Sequence, residues 1–270
     1  MRPLFQLILL TLLLTAGTAP GASPALGQGE NLTYRVSWGL FFGAGEIRIM
    51  TQQSASARGQ LQQRVTTTTR TRGIVRVLFP FDARAEALFD GQTGKLVAQT
   101  ETSISERKET STVVTFDYAN ATASYVNVIE PARSATLPMP SGDPLDLSMC
   151  LVQTRTWNLK PGEQQDALVI FDGDFYQLTI HAVRYEEVYV GLDSFNTLLL
   201  EPRMEKTPPK GMFKRGSDVR VWISQDERRL PVKFQVEFKF GSGVATLTHS
   251  ESPATTLPPT SELDAKNPRS

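Results

Sequence analysis

Asp226-Glu227-Arg228-Arg229 is an unbroken run of four ionisable side chains. Two carboxylates beside two guanidiniums could grip a charged substrate or pass a proton. The flanking residues favour a humbler role. Val219, Val221 and Ile223 alternate with Arg220 and Trp222, and Val232, Phe234, Val236, Phe238 and Phe240 alternate with Lys233, Gln235, Glu237 and Lys239. Two stretches of period two joined by a short segment predict a hairpin. The charged run falls at its tip, where water accepts charge, and Pro231 stands at a strand start, a position proline tolerates. A turn is preferred here over a functional cluster.

The other reactive groups are sparse. His181 sits inside "QLTIHAVR" and His249 at the end of the last expected strand, with no Cys or carboxylate at ligand spacing, so no metal site is assigned. Cys150 is the single cysteine and lies in the apolar run "LSMCLV", the setting of a buried small hydrophobe. No Gly-x-Ser-x-Gly is present for a nucleophile elbow. Two-carboxylate hydrolysis would need a pair in a cleft. The pairs at hand are Asp143 with Asp146, Asp172 with Asp174, and Asp226 with Glu227, and each has a cap or turn role. "GLFFGAG" lacks the Gly-Lys-Ser/Thr ending of a phosphate loop. No catalytic residue and no cofactor is assigned, and a non-enzymatic protein is expected.

What positions these residues is a succession of strands. Leu32 to Trp38, Glu46 to Gln52, the Thr-rich Leu61 to Thr71, Ala83 to Phe89, Lys95 to Ser105, Thr110 to Tyr118 and Ala123 to Ile129 carry strand signals in the first half. "GLFFGAG" and "DGQTG" punctuate as turns. The rhythm breaks at "DPLDLSMCLVQTRTW". Asp143 as N-cap and Pro144 at the first position predict a short helix. Its apolar residues, including Leu145, Met149 and Val152, cover most sides, so it is expected to be buried on most sides. Strands resume at Ala167 to Phe171, and Asp172-Gly173-Asp174 predicts a tight hairpin to Phe175 to Val183. Glu187 to Val190, Thr197 to Glu201, Asp218 to Ser224, Pro231 to Phe240 and Gly243 to Thr248 follow. Strands without intervening helices argue against a parallel α/β fold. The expected fold is mainly β: a single antiparallel curved sheet or open β-barrel with one packed helix.

Leu4 to Leu14 is a run of mostly apolar residues behind Arg2, too short to span a membrane and suited to a secretory signal. The expected organisation is a signal peptide at 1–27, cleaved after Gly27, a β-rich domain at 28–250 and a disordered Pro/Ser/Thr-rich tail at 251–270. Loss of residues 1–27 removes one basic residue, Arg2, from a balance of 28 Lys and Arg against 28 Asp and Glu. That balance offers no field for nucleic acid, and no transmembrane segment is expected after signal cleavage.

Three stretches, "GENLTYRVSWGLFFGAGEIRI", "DPLDLSMCLVQTRTW" and "VRVWISQDERRLPVKFQVEFKFGSGVATL", occur in an order that resembles the exported bacterial family of domain of unknown function 3108 (DUF3108). The likeness spans about residues 29–250. It implies a periplasmic location and no particular chemistry, since that family has no established activity. The last stretch is also similar to the periplasmic lipoprotein carriers, in which a curved antiparallel sheet wraps helices around an apolar cavity; that likeness is one of fold.

Together these readings predict an exported periplasmic protein that binds an apolar or amphipathic ligand, such as a lipid or lipoprotein. The alternative is an envelope structural or scaffolding protein that holds a protein partner through sheet edges and the basic loop carrying Lys206, Lys210, Lys214 and Arg215. The expected partners are a lipid or an envelope protein. The candidate ligand-binding residues are Trp38, Phe41, Phe42, Leu145, Met149, Phe213 and Trp222.

Overall fold

The computed structural model describes residues 26–56, 59–213, 217–238 and 241–252. Most of the expected signal segment (1–25), most of the expected tail (253–270), Lys214, Arg215, Lys239 and Phe240 lie outside the described residues.

Period-two alternation becomes fifteen strands. The first eight are β1 (Asn31–Trp38), β2 (Phe41–Ala55), β3 (Leu61–Thr71), β4 (Phe81–Asp90), β5 (Leu96–Ser105), β6 (Glu109–Asp117), β7 (Thr122–Asn127) and β8 (Ala135–Pro138). The rest are β9 (Leu145–Asp146), β10 (Gln164–Phe171), β11 (Asp174–Val190), β12 (Asp193–Arg203), β13 (Asp218–Ser224), β14 (Pro231–Phe238) and β15 (Gly241–Glu251). They form one sheet, in the order β8-β7-β6-β5-β4-β3-β2-β1-β15-β14-β13-β12-β11-β10-β9. Every neighbour is antiparallel except β9 and β10, which run parallel through Leu145 and Asp146. The mainly β reading therefore holds, as one large curved sheet.

Side chains join the two ends of this sheet where hydrogen bonds do not. Val114 of β6 and Ala123 and Tyr125 of β7 form a buried cluster with Ile170 of β10. Arg133 reaches Asp172 at 3.7 Å and Lys95 reaches Asp143 at 3.6 Å across the same gap. The result is barrel-like without a complete ring of strand pairing.

Several boundaries differ from expectation. "GLFFGAG" turns only at Gly39-Leu40, with Gly39 at φ 54°; strand β2 already begins at Phe41. The two short segments expected at Phe175 to Val183 and Glu187 to Val190 are one strand, β11, interrupted by a bulge between Ala182 and Arg184. The Asp172-Gly173 turn is as predicted, with φ 51° and 75°, the left-handed pair that suits a two-residue hairpin.

Two helices appear. α1 (Gly73–Leu78) links β3 to β4 and buries none of its residues. α2 (Leu147–Gln153) is the anticipated buried helix, with Met149, Cys150, Val152 and Gln153 buried. Its N-cap is Asp146 rather than Asp143, because Leu145-Asp146 is still held extended against β10. The Asp146 carboxylate accepts the Met149 N–H at 3.0 Å, satisfying one of the amides that the first turn leaves open.

Besides the small cluster that joins the sheet ends, the interior holds two larger buried clusters. One gathers Leu26, Leu32, Tyr34, Met149, Val152, Trp222 and Val232; the other gathers Cys150, Leu178, Ile180, Leu198, Val221 and Ile223. Leu145 and Phe234 pack against both. β13 thus buries both faces, with Trp222 on one and Val221 on the other.

Candidate functional site

An apolar cavity of about 300 Å³ lies between α2 and the strands β1, β2, β3, β14 and β15. The register explains its lining. The even positions Tyr34, Val36 and Trp38 of β1 and Phe234, Val236 and Phe238 of β14 point into it, as do the odd positions Ile47 and Ile49 of β2 and Gly243 and Ala245 of β15. The Thr-rich strand β3 contributes Thr67 and Thr69, whose methyls suit an apolar wall while their hydroxyls add a little polarity. α2 supplies Ser148, Leu151 and Val152.

Aromatic pairs shape the walls. Tyr34 meets Phe234 edge-on at 5.3 Å, and its buried hydroxyl donates to the Pro231 carbonyl at 2.9 Å. Burial pushes the Tyr34 phenol well above its ordinary range, so it remains a neutral donor. Trp38 lies 5.7 Å from Phe238 and is 41% exposed, which places it at the opening to solvent. Gly243 makes room for that indole: a Cβ there would stand 3.1 Å from Trp38 Cε3.

The seven residues singled out from sequence are scattered around this cavity. Trp38 lines it. Phe41 and Phe42 stand outside at the β1–β2 tip, 47% and 87% exposed. Leu145 and Met149 pack in the core beside the cavity and do not line it, since α2 turns Ser148, Leu151 and Val152 toward it instead. Phe213 is buried with Met204, and its neighbour Met212 is the one that reaches the wall. Trp222 is buried on the other face of β13, where Nε1 donates to Glu186 and Lys233 Nζ sits 4.3 Å over its ring. The inward register of β1, β2, β14 and β15 was the signal that would have found Val36, Ile47, Val236 and Ala245.

The charged run at 226–229 forms the expected turn, but it is not simply solvated. Asp226 accepts the Arg229 N–H at 3.0 Å and the Ser224 hydroxyl lies 2.6 Å from it. Arg229 folds inward and donates to the carbonyls of Arg155 and Trp157 at 2.7 and 3.0 Å. Arg155 in turn donates to Glu30 at 2.8 Å and to the Arg228 carbonyl at 2.6 Å. The hairpin tip therefore fastens the segment after α2 to the start of β1.

The remaining titratable groups sit away from the cavity lining. His181 Nε2 is 3.0 Å from Glu205, and His249 Nε2 is 2.9 Å from Glu251. Among the described residues no group of three or more His, Cys, Asp or Glu side chains is placed to hold a metal ion. Burial, with the Asp146 charge adding to it, pushes the Cys150 thiol up to about 12, so it stays protonated. Burial likewise pushes the Asp146 carboxyl up to about 7; the Met149 and Ser148 amides oppose this and the Glu101 charge reinforces it. Glu101 is itself pushed up by burial, against the hydrogen bond it accepts from Gln99. Both carboxyls are thus shifted upward by burial. Neither lines the cavity, and Asp146 is already engaged as the cap.

Comparison with solved structures places a crystal structure of a beta-barrel-like protein of domain of unknown function DUF1849 from Brucella abortus alongside this chain. It has a TM-score of 0.51 and 9% identity, over 86% of this chain and 99% of that one. At that identity the likeness is one of fold. Comparison with curated protein sequences returned no match. The profile described as "Protein of unknown function (DUF3108)" matches residues 33–248, nearly the whole of the sheet from β1 to β15, and the chain belongs to that family.

Proposed function

We propose that the protein binds an apolar or amphipathic ligand, a lipid acyl chain being the best fit, in the cavity between α2 and the inner face of the sheet, and that it does so as an exported periplasmic protein. The observation that carries this reading is the predominantly apolar cavity wall, together with an opening beside Trp38. A volume of about 300 Å³ stands at the lower end of small-ligand pockets, roughly 300–1,000 Å³, which favours one chain inside with its polar head at the mouth. The setting in the periplasm rests on the signal-like residues 1–27.

The test pairs mass measurement with a blocking variant. Native mass spectrometry of protein purified from cells that make it should reveal a co-purified lipid. A fluorescent fatty acid should bind the purified protein, and Val36→Phe, which adds bulk to the wall beside its cross-strand neighbour Ala245, should weaken that binding at least about tenfold, a loss of about 1.4 kcal/mol. An empty protein whose probe binding is indifferent to Val36→Phe would rule the cavity out as a ligand site.

The scaffolding alternative has less to stand on. The polar, Thr-rich strand β3 offers no free edge, since it is paired on both sides, by β2 and β4. The outermost strands are the four-residue β8 and the two-residue β9, short templates for strand addition.

A further inference from the structure

One end of the barrel carries apolar side chains that the fold does not cover. At the β1–β2 tip, Leu40 and Phe42 are 89% and 87% exposed. Beside it, Val77 of α1 and Phe79 just after it are 76% and 68% exposed. The two groups belong to one surface: α1 lies against β2, and the Arg72 N–H donates to the Ala44 carbonyl at 2.8 Å. A six-residue helix in which only Val75 is even half-buried gains little packing energy from the fold, and a patch of this kind marks a surface that meets something else.

The charge around the patch indicates what that something is. Arg48, Arg70 and Arg72 all converge on Glu46, at 2.9, 2.9 and 2.8 Å, and Arg76 pairs with Asp82 at 2.7 Å. Four arginines thus face two carboxylates, a net positive rim. Arg70, Arg72 and Arg76, with the single carboxylate of Asp82, border a shallow basin of about 590 Å³ next to α1, room for headgroup phosphates. A second copy of the chain would bring the same arginines face to face across a two-fold axis. The start of β1 and the end of β15 lie at the other end of the barrel, where Asn31 pairs with Glu251. Exposed aromatic and aliphatic side chains ringed by arginine match the boundary between acyl chains and anionic headgroups.

We propose that this end of the barrel, the β1–β2 tip with α1, docks onto an anionic lipid surface. Leu40, Phe42, Val77 and Phe79 enter the boundary region while the arginines meet headgroup phosphates. Docked this way, Trp38 at the base of the tip places the cavity mouth against the membrane.

Vesicle flotation with the full chain tests this, using phosphatidylcholine alone and phosphatidylcholine mixed with phosphatidylglycerol. The protein should float with the mixed vesicles and only weakly with the neutral ones. Leu40→Ser/Phe42→Ser should weaken partitioning by about tenfold or more for each side chain removed from the boundary. Arg72→Gln/Arg76→Gln should weaken binding to the mixed vesicles and flatten its salt dependence. Brominated acyl chains should quench Trp38 fluorescence in the unaltered protein, a reading that does not depend on any variant folding. Failure of the wild type to float, equal binding to both vesicle types, indifference to the tip substitutions, or tip-dependent self-association without flotation would each overturn the proposal. Leu40 and Phe42 do not line the cavity, so loss of vesicle binding with retained fatty-acid binding separates docking from ligand capture.

Discussion

Replacing Asp146 by Asn should change how stability depends on pH, with a sign and size set by the structure. The Asp146 carboxyl, ordinarily near 3.8, is pushed by burial up to about 7. Across that interval the folded chain keeps a proton that the unfolded chain has released. Folding therefore takes up a proton, and the stability of the wild type falls as pH rises from about 4 to about 7, then levels off. The slope from one group is at most about 1.4 kcal/mol per pH unit, so the whole window is of the order of 4 kcal/mol. Glu101, also pushed up by burial, acts in the same direction. Several carboxylates act the other way, Glu46 and Asp166 among them. At Glu46 burial works upward, but the Arg70 hydrogen bond and the charges of Arg48, Arg72 and Arg70 hold it low; at Asp166 the Lys206 and Thr179 hydrogen bonds do so. Their stabilising contributions fade as pH falls through the ordinary carboxylate range, so they overlap only the acid edge of this window. Asn is an equivalent N-cap and keeps an oxygen for the Met149 N–H, but it cannot titrate. Urea midpoints followed by fluorescence of the three tryptophans, from about pH 4.5 to about pH 8, should show the wild type losing ground steadily to Asp146→Asn. Parallel profiles for the two proteins would mean that Asp146 is ionised in the fold and that the account of its burial is wrong.

Two further outcomes concern the corner built by the hairpin tip. Arg155→Ala should lower stability by about 3–5 kcal/mol, because it strands Glu30 with its side chain only 4% exposed; urea unfolding measures this, and a loss below about 1 kcal/mol would show the pair to be dispensable. Leu26 is 2% exposed and its carbonyl accepts from Gln63 at 2.8 Å, so a chain starting at Gln28 should be about 2–5 kcal/mol less stable than one starting at Leu26; equal midpoints would show that Leu26 contributes no packing.

Strict alternation made the β13–β14 hairpin readable from sequence, and the Asp172-Gly173 turn was readable because those residue types accept left-handed backbone. Other parts left no such trace. β9 is two residues held by a parallel partner, β8 is an edge with no buried face to impose a pattern, and α1 is too short for periodicity. The site was half legible. α2 was expected to be buried, but a helix apolar on most sides does not disclose which face meets a cavity, so Leu145 and Met149 were named where Leu151 and Val152 do the lining. Trp222 misled for a related reason: β13 buries both faces, and alternation separates the faces without saying which is hollow.

The pairing of β1 with β15 puts the first and last strands side by side at the centre of the sheet order, with one up-and-down meander fanning out to β8 and the other to β9. A ribosome must finish almost the entire barrel before this seam can zip, so folding is governed by contacts more than two hundred residues apart and waits on the emergence of Glu251. The same adjacency makes the chain a natural subject for circular permutation: a short linker between the neighbouring ends, and a new opening in the segment between β8 and β9, would convert its most distant contact into a hairpin and should speed folding without altering the native sheet.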